Sequence, residues 1–259
     1  MFNFFKKKEP EYTEVLSLKQ DEDFNDILPI AEYFHNETGI TFETQLSILK
    51  SKVISFCRQR DIYSFSQLFQ DIKRESKLKQ ELIDYLTTNE TYFYREFKQI
   101  EELVEAVKKT TGSVKILCAP SATGEEPYSI AIALLEAGVS SRDFHILGID
   151  INSDAIEKAN LAQYKERNIR NLSPSVLSKY FVKDEDKYSL NREVKALVTF
   201  KITNLFDREF TKLGKFDFVF SRNMLIYFDK ETKLKAKKIL EGMRRDKEHE
   251  VFFGHADLF

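Results

Sequence analysis

Three acidic side chains in one short stretch could do chemistry together. Gly124-Glu125-Glu126 sits between an apolar run, Lys115–Ala119, and a helix-like segment, Tyr128–Glu136, and a second apolar run, His145–Ile149, ends on Asp150. The order is strand, tight loop, helix, strand, with an acid at the tip of the second strand. In an open parallel sheet the ligand crevice lies at the carboxyl ends of the strands, so loop and acid face one site. An acid at that tip accepts hydrogen bonds from a ribose diol. A pyrophosphate wants several glycines and bare N–H groups without nearby negative charge. Here a single glycine is followed at once by two carboxylates, and the G-x-G-x-x-G pattern is missing. A nucleoside that lacks phosphates and carries a cation fits better, and S-adenosylmethionine has a ribose diol, a sulfonium and an α-ammonium. Two plainer readings stand beside this one. Glu125 and Glu126 could simply complement the dipole of a helix they begin, and Asp150 could be an exposed strand-end acid.

The elements that must position these groups are set by periodicity. Residues 1–22 are polar, with Lys6-Lys7-Lys8 and Pro10, and read as a mobile lead-in. Residues 23–86 carry four helical stripes: Ile27/Ile30/Ala31/Phe34, Leu46/Leu49/Val53/Phe56, Phe65/Leu68/Phe69/Ile72 and Leu78/Leu82/Ile83/Leu86. They form an all-α N-terminal domain. Its charge is uneven. Residues 1–45 hold four basic and ten acidic side chains, whereas 46–80 hold eight basic and three acidic ones. A solvated mixed face explains this plainly; the functional reading is a basic patch, with Lys50, Lys52 and Arg58, that steers an acidic protein partner.

Residues 87–259 read as an α/β domain. Thr87–Thr91 is dense in cap-forming residues. Tyr92-Phe93-Tyr94-Arg95-Glu96-Phe97 then places a guanidinium among aromatics, where it must reach solvent or meet an acid. Ile151–Tyr164 looks helical, with Ala155, Ile156, Ala159 and Leu161 inward, and Ser173-Pro174 opens a short helix. About 182–197 the apolar residues are separated by charges, which predicts a small antiparallel insertion. Main-sheet strands are predicted at Val198–Ile202, Phe216–Phe220 and Val251–Gly254, and a basic amphipathic helix at Lys230–Arg245. Glu126, Asp150, Asn204 and Arg222-Asn223 each come after a predicted parallel strand, so they converge on one sheet edge.

Composition bounds the class. At 42% apolar and 32% charged residues the chain has the makeup of a globular protein, and a net charge of −2 gives no global field for nucleic acid. No apolar run reaches membrane-spanning length, and Met1–Phe5 is too short for a signal core, so the expected compartment is the cytoplasm. Cys57 and Cys118 lack metal spacing and no metal is expected.

With these segments in place the chain is similar to the CheR family, the chemotaxis receptor methyltransferases. The resemblance rests on Leu86–Glu96 (LTTNETYFYRE), Ala122–Ala131 (ATGEEPYSIA), Gly148–Asn152 (GIDIN), Asn204-Leu205, and Phe216-Asp217 through Ser221–Phe228 (SRNMLIYF). It implies a Rossmann-like class I S-adenosylmethionine-dependent methyltransferase domain, mainly a parallel sheet with helices on both faces. It also implies methylation of glutamate side chains in receptor cytoplasmic helices, with S-adenosylhomocysteine as product. By position, Asn89, Thr91, Arg95, Glu126, Asp150, Asn204, Leu205, Arg222 and Asn223 would line the cofactor site. Arg95 and Tyr227 would stand closest to the transferring methyl. The chain departs from the family where Gly254-His255 is followed by Ala256-Asp257 instead of Ser-Glu, and where Asp246–His249 replaces a Pro-Gly turn. Most members also continue for a further strand pair. The short insertion between Phe181 and Lys187 weighs against tethering by a receptor's C-terminal pentapeptide. The competing reading from another class is a cofactor-binding regulatory module of the same fold with little or no transferase activity. A related methyltransferase acting on a non-receptor protein or small molecule is a third. The loop acids disfavour a nicotinamide dehydrogenase.

Overall fold

In the computed structural model, residues 22–257 are described; the lysine cluster and nearly all of the polar lead-in lie outside them. Four helices come first: α1 (Leu28–Thr38), α2 (Leu46–Arg58), α3 (Phe65–Arg74) and α4 (Ser76–Leu86). Local chemistry sets their ends. Gly39 stops α1 in the left-handed region at φ 76°, and Ser64 caps α3 by accepting the Gln67 N–H. The predicted stripes bury into one core, with Ile30, Leu49, Val53, Phe56, Leu68 and Ile72 almost fully enclosed. The uneven charge is partly cancelled within the bundle. Glu22 pairs with Arg58 at 2.7 Å, Glu37 with Lys79 at 2.8 Å, and Glu81 with Arg60 at 2.9 Å.

The remainder is α5 (Phe97–Lys109), β1 (Val114–Cys118), α6 (Glu125–Glu136), β2 (Phe144–Asp150), α7 (Ser153–Leu161), β3 (Gln163–Lys165), α8 (Glu166–Ile169), α9 (Pro174–Tyr180), β4 (Phe181–Asp184), β5 (Lys187–Leu190), α10 (Arg192–Lys195), β6 (Val198–Ile202), α11 (Arg208–Thr211), β7 (Phe218–Ser221), α12 (Lys230–Met243) and β8 (Phe252–Phe253). The main sheet runs β6-β2-β1-β7-β8, all parallel. Period-two alternation explains its two covered faces. Ile116 and Cys118 of β1 pack with α5 and α6, through Ile100, Leu103, Ile130 and Leu134. Leu117, between them, packs with Val219, Ala236, Leu240 and Met243 on the α12 side. The chain order reverses across β1 and β7, which makes the crevice outside their carboxyl ends the place for a ligand. This is the Rossmann-like class I arrangement.

The structure moves several expected boundaries. The helix after β1 starts at Glu125 rather than Tyr128, so both glutamates lie in its first turn. The helix expected to reach Tyr164 ends at Leu161, which is 57% exposed rather than inward. Ala162 turns the chain at φ 52° and Tyr164 enters β3. Burial wins there over helical periodicity. The Tyr164 ring meets Phe93 edge-on at 4.8 Å, and its hydroxyl donates to the Thr123 carbonyl at 3.0 Å. The insertion is accordingly three-stranded, ordered β3-β5-β4 and antiparallel.

Candidate functional site

The loop after β1 is bonded to the tip of β2. Ser121 N–H donates to the Ile149 carbonyl at 2.7 Å, and Ala122 N–H donates to Asp150 Oδ2 at 2.8 Å. Asp150 Oδ1 accepts the Asn152 N–H at 2.9 Å. With the Ile151 N–H also turned toward it, the carboxylate still has acceptor capacity to spare, since two oxygens offer about four sites. Burial raises the Asp150 carboxyl to about 6 against the pull of these amides. Gly124, at φ 92°, is required where the loop enters α6: a Cβ there would stand 3.0–3.1 Å from Ala159, Phe200 and Tyr128.

The two loop acids part company. Glu125 is fully buried and turns away from the crevice. It accepts Thr123 Oγ1–H at 2.6 Å and Asn168 Nδ2–H at 2.7 Å, and burial raises its carboxyl. The expectation that the whole loop faces one site is therefore corrected: of its two carboxylates only Glu126 lines the crevice. Glu126 meets the Arg222 guanidinium from the end of β7 in a buried ion pair. Arg222 also donates to the Glu96 carbonyl at 3.2 Å. Taking both charges from water is costly, and a paired arginine with further acceptors offsets that cost.

Between the helical bundle and the sheet edge lies a cavity of about 560 Å³. It brings together Asn89, Thr91, Arg95, Glu126, Asp150, Asn204, Leu205, Arg222, Asn223 and Tyr227, together with Lys52. Lys50 and Arg58 are elsewhere, on a shallow groove along the outer side of α2. Lys50 donates to the Asn25 carbonyl at 3.2 Å, and Arg58 is held by Glu22. The cavity also has a wall that motif reading missed: Thr38, Ile40, Phe42 and Ile48 from the helical bundle. Their backbone joins it to the sheet, since Thr41 N–H donates to the Tyr227 carbonyl at 2.9 Å. Asn204 is committed to that junction too, donating to the Glu37 carbonyl at 2.5 Å and accepting the Phe206 N–H at 3.0 Å.

Arg95 is half-buried among aromatics, as its sequence setting predicts. It donates to the Glu90 carbonyl at 3.2 Å and lies 5.9 Å from the Tyr92 ring centre. Among the described residues no carboxylate pairs with it. Tyr227 shares the cavity mouth at 38% exposure; burial raises its hydroxyl, and the Arg95 charge acts the other way. Asn223, at φ 59°, begins the loop that carries Tyr227. Beneath that loop, Asp257 is fully buried and accepts the N–H groups of Asn223 and Gly254, which shows what the altered C-terminal motif does here.

The residues fit a nucleoside carrying a positive charge. Glu126 Oε1 and Ser121 Oγ are buried with no hydrogen-bond partner among the described residues, so a donor, preferably cationic, is called for at the loop. The spare acceptor sites of Asp150 suit a diol. Ile40, Phe42 and Leu205 give the cavity apolar surface for a base. No cluster of metal-binding side chains occurs among the described residues.

Comparison with known proteins agrees with this chemistry. The family described as "CheR methyltransferase, SAM binding domain" matches residues 89–259. The chain is 40% identical over 222 residues to a chemotaxis protein methyltransferase of Campylobacter jejuni, covering 85% of this chain and 84% of that one. It is 35% identical over 217 residues to chemotaxis protein methyltransferase 2 of Vibrio cholerae, covering 79% and 75%. A probable chemotaxis protein methyltransferase of Rhizobium etli is 30% identical over 239 residues, covering 86% and 88%.

Proposed function

The chain belongs to the CheR methyltransferase family, and on that premise we propose that it methylates glutamate side chains in the cytoplasmic helices of chemotaxis receptors. The product would be a glutamyl methyl ester, formed in the cytoplasm. S-adenosylmethionine supplies an electrophilic methyl group: the acceptor oxygen bonds its carbon as the carbon–sulfur bond breaks, with both electrons going to sulfur.

The residues have simple tasks. A glutamate side chain titrates at about 4.3, so the nucleophile is ionised near neutral pH and no general base is required. The protein's work is alignment and exclusion of water. Asp150 would hold the ribose diol, Glu126 the cationic end of the amino-acid moiety, and Asn89, Thr91, Asn204, Leu205, Arg222 and Asn223 would complete the wall. Arg95 or Tyr227 would hold the incoming carboxylate through its second oxygen. One such contact orients the nucleophile; a tight clamp would draw off the charge it needs.

The observation that carries this reading is Arg95, paired by no carboxylate among the described residues, at the mouth of the cavity that contains Glu126 and Asp150. Lys50 and Arg58, on the outer side of α2, would meet acidic receptor helices. The short β4–β5 connection supports docking without a pentapeptide tether.

The test is transfer of labelled methyl from S-adenosylmethionine to receptor-containing membranes. Label released as methanol by mild base is expected, since a carboxyl methyl ester is base-labile. Cofactor binding without incorporation would favour the regulatory-module reading.

A further inference from the structure

Asn152 does not line the cavity, yet it is 1% exposed and bonded in several directions at once. Its N–H donates to Asp150 Oδ1 at 2.9 Å, and its side-chain oxygen caps α7 by accepting the Ala155 N–H at 2.8 Å. Its Nδ2 crosses to the helical bundle, donating to the Asp84 carbonyl at 3.0 Å and to Thr87 Oγ1 at 2.7 Å. Thr87 in turn donates to the Ile83 carbonyl at 2.8 Å. Next to it, Ser153 N–H donates to Asp84 Oδ1 at 2.7 Å, and Gln80 Nε2 donates to the Ile151 carbonyl at 2.8 Å.

The placement of these bonds is what gives them meaning. Thr87 ends α4, and the chain leaves it without regular structure through Asn89 and Thr91 to Arg95. That segment forms one side of the cavity and Asp150 another. A helix cap needs only the acceptor oxygen of Asn152; serine would serve. The donor half is committed to the α4 terminus.

We propose that Asn152 is a positioning residue for methyl transfer, clamping the last turn of α4 to the tip of β2 so that the 87–95 segment and Asp150 stand in fixed register around the cofactor. The proposal rests on the cofactor reading of the cavity. With the clamp in place, the segment is ordered before the ligand arrives. Without it, the ligand must do the ordering, and the cost appears as weaker binding.

The experiment compares the full chain with Asn152→Ser, Thr87→Val and the double variant. Asn152→Ser keeps a neutral cap for α7 and removes the amide donor. S-adenosylhomocysteine affinity, read by calorimetry, is expected to fall about tenfold in each single variant, as for one or two neutral hydrogen bonds. The double variant is expected to lose less affinity than the two single losses summed, because the Asn152–Thr87 bond is broken in both. In the ligand-free Asn152→Ser protein, amide exchange at Tyr85, Leu86 and Thr87 is expected to accelerate relative to the core of α7. Unchanged exchange there overturns the clamp, as does additive loss of affinity in the double variant. So does unchanged affinity accompanied by a lower melting temperature, which marks a capping role only. Failure of the wild-type chain to bind S-adenosylhomocysteine overturns the proposed function instead, and the exchange result still decides the clamp.

Discussion

Asp150→Asn separates charge from shape at the tip of β2. The side chain keeps its volume, loses the charge that a diol would bond, and turns an amide donor toward one of the two N–H groups, of Ala122 and Asn152, that bond its separate oxygens. A hydrogen bond to a charged group contributes about 1.5–3 kcal/mol. Losing that contribution weakens S-adenosylhomocysteine binding by roughly tenfold to over a hundredfold at pH 7.5. The pH dependence carries a sign. The Asp150 carboxyl in the folded protein is raised by burial from 3.8 to about 6. Between those values the folded state holds more protons than the unfolded one, so the ligand-free protein gains stability from this group as pH falls through 6 towards 4. Ligand affinity moves the other way, because protonation replaces a charged acceptor; below about pH 6 it declines by up to about tenfold per unit. Equilibrium dialysis of labelled S-adenosylhomocysteine between pH 5 and 8 reads the affinity profile. Wild type is expected to show the decline, and Asp150→Asn a weak, flat profile. A flat wild-type profile, or a variant that binds as wild type does, refutes the reasoning.

Other substitutions around the cavity have equally definite outcomes. Arg222→Met strands the Glu126 carboxylate and is expected to cost about 3–5 kcal/mol in urea unfolding. Adding Glu126→Gln should recover part of that loss, while cofactor affinity stays poor. Arg95→Ala, which removes a guanidinium that no carboxylate among the described residues pairs, should leave stability within about 0.5 kcal/mol and lower receptor methylation by about two orders of magnitude. Unchanged kcat/KM in steady-state assays contradicts its role. Asp257→Asn keeps one oxygen for the N–H groups of Asn223 and Gly254, which share Oδ2, and loses the charge that strengthens both bonds. It should lower the melting temperature, with Asp257→Glu less harmful than Asp257→Asn.

Much of this site is legible in the sequence because the tips of parallel strands share one edge, and the residues just beyond each strand gather there. Asp150 and Arg222 come directly after short apolar runs, and Glu126 comes after the loop that leaves β1. Period-two and helical patterns located β1, β2, β6 and the four-helix bundle within a few residues. The features that stayed hidden depend on contacts between distant segments. The side to which Glu125 turns is set by Asn168, and no local pattern announces that. Tyr164 breaks a helical pattern because Phe93 gives its ring a buried neighbour. The wall made by Ile40, Phe42 and Ile48 comes from helices whose stripes predict a core, and periodicity does not say which loop residues close over a neighbouring sheet. Lys52 read as one of three equivalent surface cations; a different direction around α2 puts it in the cavity while Lys50 and Arg58 stay outside.

The central claim is that a cationic nucleoside is held at the gathered strand tips by Asp150 and Glu126. Calorimetric titration of the full chain with S-adenosylmethionine, S-adenosylhomocysteine and a nicotinamide dinucleotide tests it most directly. Saturable one-to-one binding of the first two, with no heat from the dinucleotide, is the predicted result. Binding of the dinucleotide at equal affinity, or of none of the three, contradicts it.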